Sequence, residues 1–320
     1  MAGEEQAVTV AVGAAPGRVR SRRRGRLSAR LEPYLYLSPA LLLLALVMFV
    51  PLLVGLSYAF RSIQLFNPFA TGWVGFAHFG ELIHDDAFWH ALFDTVWWTG
   101  GSLVFQFSLG LILALALAKP FLGRRLVQAI VFVPWAVPTF LSGLAWAWLF
   151  NPVIGPLPHW LAALGVIAQP YNILADPAIA MWGPIVANVW FGIPFFAITL
   201  LAALQAIPRE LYEAAEIDGA DAWQRFTRVT LPLLAPTIAI TVLLRTIWIA
   251  NFADLIWVMT NGGPADSTQT LATYIFATAY SKLDFGYASA VAAVLLLLLL
   301  LYAIVLIRMR RGLLAAPAAA

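Results

Sequence analysis

Apolar positions in this chain are gathered into six long runs, which shorter polar segments separate. A hydrocarbon core about 30 Å thick is crossed by a helix of roughly 20 apolar residues, and each run reaches that length. The runs cover residues 34–60, 91–118, 126–150, 179–207, 231–259 and 287–307. The last is the plainest, because residues 291–307 carry no charge and include seven consecutive leucines. The pattern predicts an all-α polytopic membrane protein with six transmembrane helices.

A few residues interrupt the predicted spans. Asp94 stands near the start of span two, where it could act as a helix cap. Four prolines are expected to kink spans three and four, because proline lacks the backbone N–H that a helix interior uses. They are Pro134, Pro138, Pro184 and Pro194.

Composition supports a membrane protein and excludes two other classes. The chain is 62% hydrophobic and 11% charged, whereas a soluble globular chain is roughly 45–50% apolar and about 25% charged. Its 13% aromatic content is also too high for a disordered chain. There is no cysteine, and the four histidines lack the spacing of a metal site, so no metal or other cofactor is expected in this chain.

Basic residues predict the orientation, since Lys and Arg in short loops stay on the cytoplasmic side. Of the 19 basic residues, 16 fall before span one, between spans two and three, between spans four and five, or after span six. These 16 are Arg18, Arg20, Arg22, Arg23, Arg24, Arg26, Arg30, Lys119, Arg124, Arg125, Arg209, Arg225, Arg228, Arg308, Arg310 and Arg311. The distribution predicts that both termini are cytoplasmic.

The chain is accordingly divided into a disordered basic tail (1–30), a transmembrane domain (31–311) and a short C-terminal tail (312–320). A run of arginines can bind nucleic acid, but its position just before a membrane span favours an orientation anchor that touches anionic lipid. No nucleic-acid partner is expected. The outer loops 62–90 and 151–177 are rich in aromatic residues, which suits an interfacial belt or a docking face for an external partner.

The cytoplasmic loop 207–232 is the polar exception, because five of the 16 acids lie in it. They are Glu210, Glu213, Glu216, Asp218 and Asp221. Pro208 can begin a short helix, Gly219 can end it in the left-handed conformation, and Asp221 can cap a second helix that Pro232 limits. The alternatives are a solvated loop, or a helix whose small residues let another surface approach closely.

This loop resembles the EAA loop of permeases from binding-protein-dependent ABC importers. The family pattern E-A-A-x3-G-x9-I-x-L-P is matched by Glu213, Ala214, Ala215, Gly219, Leu231 and Pro232, with Val229 in place of Ile. Residues 211–226, 254–264 and 281–290 resemble the carbohydrate-uptake branch, in particular the first permease of the maltose and glycerol-phosphate type. The likeness covers about residues 30–310 and implies the type I importer permease fold, in its six-span form.

The resemblance implies a transport subunit of the bacterial cytoplasmic (inner) membrane that is not itself an enzyme. Neither lysine lies in a P-loop, since Lys119 precedes Pro and Lys282 precedes Leu. ATP and Mg²⁺ are therefore expected on two separate ATPase subunits, coupled through Glu213, Ala214, Ala215, Asp218, Gly219, Leu231 and Pro232. Further implied partners are a second, homologous permease, forming a heterodimer, and a periplasmic or lipid-anchored solute-binding protein.

Polar residues within the spans are candidates for the solute path, because polar groups in the membrane are costly. In span five, Thr241, Arg245, Trp248 and Phe252 fall on one stripe, with Asn251 close to it and Asp254 opposite Arg245. A tryptophan ring and an amide suit the apolar face and the hydroxyls of a sugar. Asn188, Trp190 and Gln106 are further candidates, and Arg245 could instead pair with a neighbouring helix.

Two other transport classes compete with this reading. A six-span secondary transporter would show internal repeats and ionisable residues deep in the membrane. A channel is suggested only by Asn67-Pro68 and Asn151-Pro152, which lie in outer loops. Neither class gives the cytoplasmic EAA loop a role. The solute could be a sugar, a sugar alcohol, a glycerol phosphate or a glycerol phosphodiester.

Overall fold

The computed structural model describes residues 26–65, 67, 69 and 71–315. Helices account for most of this part, which confirms the all-α class. The helices are α1 (Arg26–Leu44), α2 (Val50–Tyr58), α3 (Ala77–Ile83), α4 (Asp86–Ala118), α5 (Arg124–Ala136), α6 (Thr139–Leu149), α7 (Pro156–Ala163), α8 (Trp182–Gln205), α9 (Arg209–Ile217), α10 (Ala222–Arg225), α11 (Leu231–Ala250), α12 (Asp254–Met259), α13 (Leu271–Phe276) and α14 (Phe285–Ala315). Two short strands, β1 (Arg61–Ser62) and β2 (Gly72–Trp73), pair in antiparallel fashion, with Arg61 opposite Trp73.

The chain forms two units, the first ending at Val54 and the second beginning at Gly55. The first unit contains α1, a π-helical stretch Ala45–Phe49 and the first residues of α2. Its side chains from 33 to 54 are all exposed, although nearly all are apolar. A helix with apolar side chains on every face is typical of a membrane span.

The first and last helices both extend into the predicted tails. Helix α1 begins at Arg26, so residues 26–30 of the predicted tail are helical, while residues 1–25 lie outside the described residues. Helix α14 continues to Ala315, so residues 312–315 extend the last helix, and residues 316–320 lie outside the described part.

Five of the six predicted spans are long apolar helices in the structure. Among the described residues, those long and apolar enough to cross a membrane are Pro33–Tyr58, Asp86–Ala118, Trp182–Gln205, Ala222–Ala250 and Phe285–Met309. A sixth apolar segment consists of α5 and α6, which are bent by 96°. The predicted number is reached when this bent pair is counted as one span.

The expectation of a merely kinked helix over 126–150 is wrong. Helix α5 ends at Ala136, Val137 is extended (φ −89°, ψ 126°) and Pro138 precedes α6. Proline disfavours the helical conformation at the residue before it, which explains why the break is complete at this point. Pro184 was also expected to kink a span, but it lies in the first turn of α8, where proline is tolerated.

Span five is shorter than predicted, because α11 ends at Ala250 and not at residue 259. Asn251 donates its Nδ2 to the carbonyl oxygen of Ile247 at 2.9 Å. Asparagine often ends helices by such local hydrogen bonds. Asp254 therefore begins the separate helix α12 and is not part of the spanning helix.

The cap of span two is Asp85 and not Asp94, which lies inside α4. Asp85 Oδ1 accepts a hydrogen bond from the N–H of Ala87 at 3.0 Å. Its Oδ2 accepts from the hydroxyls of Tyr274 at 2.6 Å and Tyr287 at 2.5 Å. Partial burial alone would raise the pKa of Asp85, but these hydrogen bonds to the charged form outweigh it and lower the pKa. One carboxylate thus joins the beginnings of α4 and α14 to α13.

The interior of the second unit forms around α4 and α8. Trp98 on α4 is fully buried, and its Nε1 donates to the carbonyl oxygen of Ile249 at 2.9 Å. Phe196 on α8 is also fully buried, and its ring packs against Phe107 with centroids 5.7 Å apart. These contacts place the polar residues of α4, α8 and α11 inside the second unit.

Candidate functional site

A cavity of about 380 Å³ lies between α8, α11 and the start of α6. Four of the six predicted path residues line it, namely Asn188, Arg245, Trp248 and Asn251. Thr139, Phe191 and Phe252 line it as well. The mixture of aromatic rings, amides and one guanidinium suits a ligand with both apolar and polar faces.

Arg245 is joined to two other helices by a chain of hydrogen bonds. Its Nε donates to Oε1 of Gln106 on α4 at 2.7 Å. Gln106 in turn donates its Nε2 to the carbonyl oxygen of Asn188 on α8 at 2.9 Å. Three spanning helices are therefore linked by polar groups at one wall of the cavity.

The charge of Arg245 is unusual for such a buried position. Its side chain is 4% exposed, and among the described residues no acidic side chain forms a salt bridge with it. The guanidinium lies over the ring of Phe191, 5.9 Å from its centroid. The sequence left open that Arg245 pairs with a neighbouring helix, and it does so through the amide carbonyl of Gln106 on α4. Gln106 and Phe191 offset only part of the desolvation cost.

Gly192 makes this arrangement possible. A Cβ at this position would stand 2.1 Å from Cδ of Gln106 and 2.5 Å from Nη2 of Arg245. Such distances are far inside van der Waals contact, so only glycine allows α8 to approach the pair this closely.

Asn188 is the polar residue whose hydrogen bonding is incomplete. Its side chain is fully buried, and neither Oδ1 nor Nδ2 has a hydrogen-bond partner. An unmatched buried amide costs free energy, roughly 1–3 kcal/mol for each group left unpaired. Both atoms are shielded in this arrangement of the helices, so a ligand in the cavity would pair with them only after the surrounding helices moved.

Trp248 and Asn251 form the more open side of the cavity. The ring of Trp248 is about half exposed (49%) and packs against Phe195 with centroids 5.3 Å apart. Asn251 is exposed, and Phe252 beside it stacks on Phe191 at 5.8 Å. This side presents a flat ring and an amide to any ligand that enters.

The other two predicted path residues lie elsewhere. Trp190 packs edge-on against Trp146, with centroids 6.0 Å apart, and does not line the cavity. Asp254 is exposed at the start of α12. Sequence reasoning did not select Phe191 or Thr139; Phe191 lies three residues after Asn188, which is one helical turn, whereas nothing in the sequence marks Thr139.

The polar loop folds as the predicted helix, break and helix, with one correction. Pro208 caps α9, Gly219 ends it with φ +80°, and Asp221 caps α10 in a reciprocal pair with Gln224. The N–H of Ala220 donates to the carbonyl of Ala215, and that of Gly219 to Glu216, which is the Schellman ending.

Pro232 does not limit the second helix, contrary to expectation. Helix α10 continues through a π-helical turn, Phe226–Thr230, directly into α11, so Ala222–Ala250 forms one spanning helix. The N–H of Leu231 donates to the carbonyl of Phe226, five residues earlier. The widened turn accommodates the proline ring that follows it.

One face of helix α9 is exposed, and the other contacts the segment 225–230, which leads into α11. Leu211 and Ile217 are exposed, Ile217 by 87%, and so are Glu213, Ala214, Asp218 and Gly219. On the attached side, the hydroxyl of Tyr212 lies 3.0 Å from Oγ1 of Thr230, and Glu216 forms an ion pair with Arg225. Five of the seven predicted coupling residues thus belong to α9 and its end; Leu231 and Pro232 begin α11.

No group of three or more His, Cys, Asp or Glu side chains within the described ranges is arranged to hold a metal ion.

Comparison with known proteins places this architecture among transport proteins. Residues 106–311 match the family model described as "Binding-protein-dependent transport system inner membrane component". The trehalose/maltose transport system permease protein MalF of Thermococcus litoralis is 35% identical over 278 residues, covering 87% of this chain and 93% of the relative. The sulfoquinovosyl glycerol transport system permease protein SmoG of Agrobacterium fabrum is 35% identical over 285 residues, covering 89% and 92%.

The fold is similar to a solved transporter. A subunit of a bacterial alginate ABC transporter, crystallised with a periplasmic protein bound to an alginate pentasaccharide, superposes with a TM-score of 0.77. The two chains are 26% identical, and the match covers 90% of this chain and 98% of that one.

Proposed function

The chain belongs to the family of binding-protein-dependent transport system inner membrane components, and from that premise we propose how its cavity and its polar loop serve import. It is a multi-pass permease subunit of an ABC importer in the inner membrane, and it transports without hydrolysing ATP itself. The six-span secondary transporter and the channel are thereby excluded.

The proposed solute is a carbohydrate or a close relative rich in hydroxyl groups. The observation that carries this is the open side of the cavity, where the half-exposed ring of Trp248 lies close to the exposed amide of Asn251. A sugar hydroxyl both donates and accepts, so it can satisfy this amide, while Trp248 can stack on the apolar face of the sugar. The names of the sugar-transporting relatives agree with this choice.

Asn188, Trp248 and Asn251 are proposed to contact the solute. Arg245 is proposed to position Gln106 and α8, and through its remaining N–H groups to offer donors to solute oxygens. Trp190 and Asp254 are not proposed as contacts, because neither lines the cavity.

Coupling to ATP hydrolysis is proposed to pass through α9. Its exposed face, with Leu211, Ala214 and Ile217, offers apolar contact to a cleft of the ATPase, and Glu213 offers a charge. Tyr212 and Glu216 attach α9 to the segment that continues into α11. A rigid displacement of α9 would therefore move a helix that lines the cavity.

The assembly is proposed to contain this chain, a second homologous permease in a heterodimer, two ATPase subunits that bind ATP and Mg²⁺, and a periplasmic or lipid-anchored solute-binding protein. Both termini and the α9 loop are proposed to face the cytoplasm, which the bias of basic residues supports. The periplasmic protein in the alginate transporter complex supports the presence of a binding protein.

The proposal is tested by uptake into proteoliposomes that contain the complete transporter, with trehalose and maltose as probes. Trp248→Ala should lower uptake by about tenfold, the equivalent of 1.4 kcal/mol. Trp148→Ala is the matched control, because Trp148 is equally exposed (52%) but does not line the cavity. Equal uptake by the two variants would contradict the assignment of the cavity.

A further inference from the structure

Four aromatic rings lie together where the first span leads into the outer loop. The ring of Phe60 stacks on that of Trp73, with centroids 5.7 Å apart and planes inclined by 14°. Phe76 and Phe79 also pack against Phe60, at 5.3 and 5.5 Å. The backbone supports this arrangement, because the N–H of Val74 donates to the carbonyl oxygen of Phe60 at 2.9 Å. The four rings therefore form one fixed unit, the ring cluster.

Two members of the ring cluster are largely exposed. Trp73 is 71% exposed and Phe76 74%, while Phe60 and Phe79 are half-buried. Large rings that are held in place on a surface form an apolar patch, and such a patch favours contact with another apolar medium over contact with water. We therefore expect the patch to be covered in the membrane-embedded transporter.

Hydrogen bonds fix the level of the ring cluster relative to the membrane. Directly after β1, the carbonyl oxygen of Ile63 accepts from the N–H of Phe285 at 3.0 Å. The N–H of Leu65 donates to the carbonyl oxygen of Leu283 at 3.1 Å. Phe285 is the first residue of an apolar helix that is long enough to cross a membrane. The loop that carries the rings is thus attached at the point where a span begins, which is the membrane–water interface.

A positive charge without a partner lies beside the rings. Arg61 is directly opposite Trp73 in the strand pair, so the two side chains project from the same face. Arg61 is exposed, and no acidic side chain within the described ranges forms a salt bridge with it. Tryptophan is enriched at the headgroup level of membranes, and a guanidinium binds phosphate through two parallel hydrogen bonds.

We propose that the ring cluster and Arg61 bind an anionic phospholipid of the outer leaflet, with the exposed rings against its acyl chains and the guanidinium on its phosphate. A lipid fits this surface better than the solute-binding protein does. The binding protein leaves in every transport cycle and would return the rings to water, whereas lipid covers them throughout. An anionic headgroup also supplies the charge that Arg61 lacks within the chain. The contact would hold the start of span six at the membrane surface.

The proposal is tested on the complete transporter in proteoliposomes of phosphatidylethanolamine and phosphatidylglycerol. The chain contains no cysteine, so Phe76→Cys gives this subunit a single site for an NBD fluorophore. Phospholipid with a doxyl group close to its headgroup should quench the label strongly, and aqueous iodide weakly. Sugar-loaded binding protein should change neither result. Glu81→Cys is the control, because Glu81 is an exposed acid of the same loop and its label should respond to iodide instead.

The headgroup contact is tested with the same label at position 76. Doxyl-phosphatidylglycerol should be enriched there about fivefold over doxyl-phosphatidylcholine, the equivalent of one basic residue near an anionic surface. Arg61→Gln should abolish this preference. Lys282→Gln is the matched control and should retain it, because it removes the same charge from a side chain that lies over the ring of Tyr274, 5.1 Å from its centroid.

Three results would overturn the proposal. Quenching by iodide that the binding protein then prevents would identify the surface as a docking face for that protein, and quenching by iodide in every state would leave it in water. A label protected from both lipid and iodide would lie in an interface with the second permease. Equal enrichment of the two lipids, or a preference that survives Arg61→Gln, would exclude the headgroup contact.

Discussion

Arg245 of α11 and Gln106 of α4 are joined inside the membrane-spanning part of the chain by a hydrogen bond of 2.7 Å between Nε and Oε1. Both side chains are buried, and the amide of Gln106 extends the contact to the backbone of α8. A glutamine thus takes the place that a carboxylate would normally hold beside a buried arginine. The arrangement of Arg245 and α8 at this wall of the cavity therefore depends on the neutral side chain of Gln106.

Replacing Gln106 with leucine should destabilise the permease by about 1–3 kcal/mol, because Arg245 would lose its hydrogen-bond acceptor while remaining buried. The free energy of unfolding in lipid–detergent micelles measures the effect. Gln128→Leu is the control, since Gln128 is half-buried on α5 and lies away from the cavity. Equal losses for the two variants would argue against a special role for Gln106.

Gly192→Ala should cost about 1–3 kcal/mol of stability and also reduce transport, because the new methyl group would displace Gln106 and Arg245. Gly100→Ala on α4 provides a comparison, as nothing lies within 4 Å of a Cβ there. Thermal unfolding and uptake are measured for both. Normal uptake by Gly192→Ala would show that the close approach is unnecessary for transport.

Glu213→Lys should abolish uptake and release the ATPase from control by the permease, while the spans remain inserted. The reversed charge on the exposed face of α9 would repel an arginine of the ATPase. Glu210→Lys changes the same charge in the first turn of the same helix. ATPase rate and uptake are compared in proteoliposomes, and identical behaviour of the two variants would refute coupling through Glu213.

Gly219→Ala should lose roughly 1–2 kcal/mol, because an L-residue is strained at φ +80°. Gly123 has nearly the same conformation (φ +84°) and equally open surroundings. Gly123→Ala should therefore show the same loss of stability but keep its uptake, whereas Gly219→Ala should lose uptake through the displaced end of α9. Measuring stability and uptake for both variants separates backbone strain from coupling to the ATPase. An equal loss of uptake in Gly123→Ala and Gly219→Ala would count against the coupling role of Gly219.

Stability should fall in acid as the Asp85 carboxylate is protonated. Its folded pKa lies below the unfolded value of about 3.9, so its contribution is fully present above that value and is lost as the pH drops through the folded pKa. Compared with Asp85→Asn, the native chain should unfold at higher temperature at pH 6, and the difference should shrink below about pH 4. Asp176→Asn serves as the control. A difference independent of pH would be inconsistent with this linkage.

Local sequence determined a large part of this protein. Apolar runs of membrane length specify the spans, since a span must bury its backbone polar groups within its own helix and needs no distant contact for this purpose. The α9 loop was also predictable, because Pro208, Gly219 and Asp221 act on their own neighbours. The EAA spacing was sufficient to indicate the family for the same reason, because all its residues lie in one continuous segment.

Only the tertiary structure decided how the polar residues are used. The break at Val137 and the end of α11 at Ala250 follow the local signals of Pro138 and Asn251, but the angle of 96° between α5 and α6 is a property of the folded chain. The end of α11 removed Asp254 from the spanning helix. Helical spacing placed Arg245 and Trp248 on one stripe, yet it could not reveal that Gln106, 139 residues away, would accept from Arg245. Nor could it show that the Asn188 amide stays unpaired. Whether a buried polar group finds a partner depends on how α4, α8 and α11 pack against one another. The sequence of one helix does not contain that information.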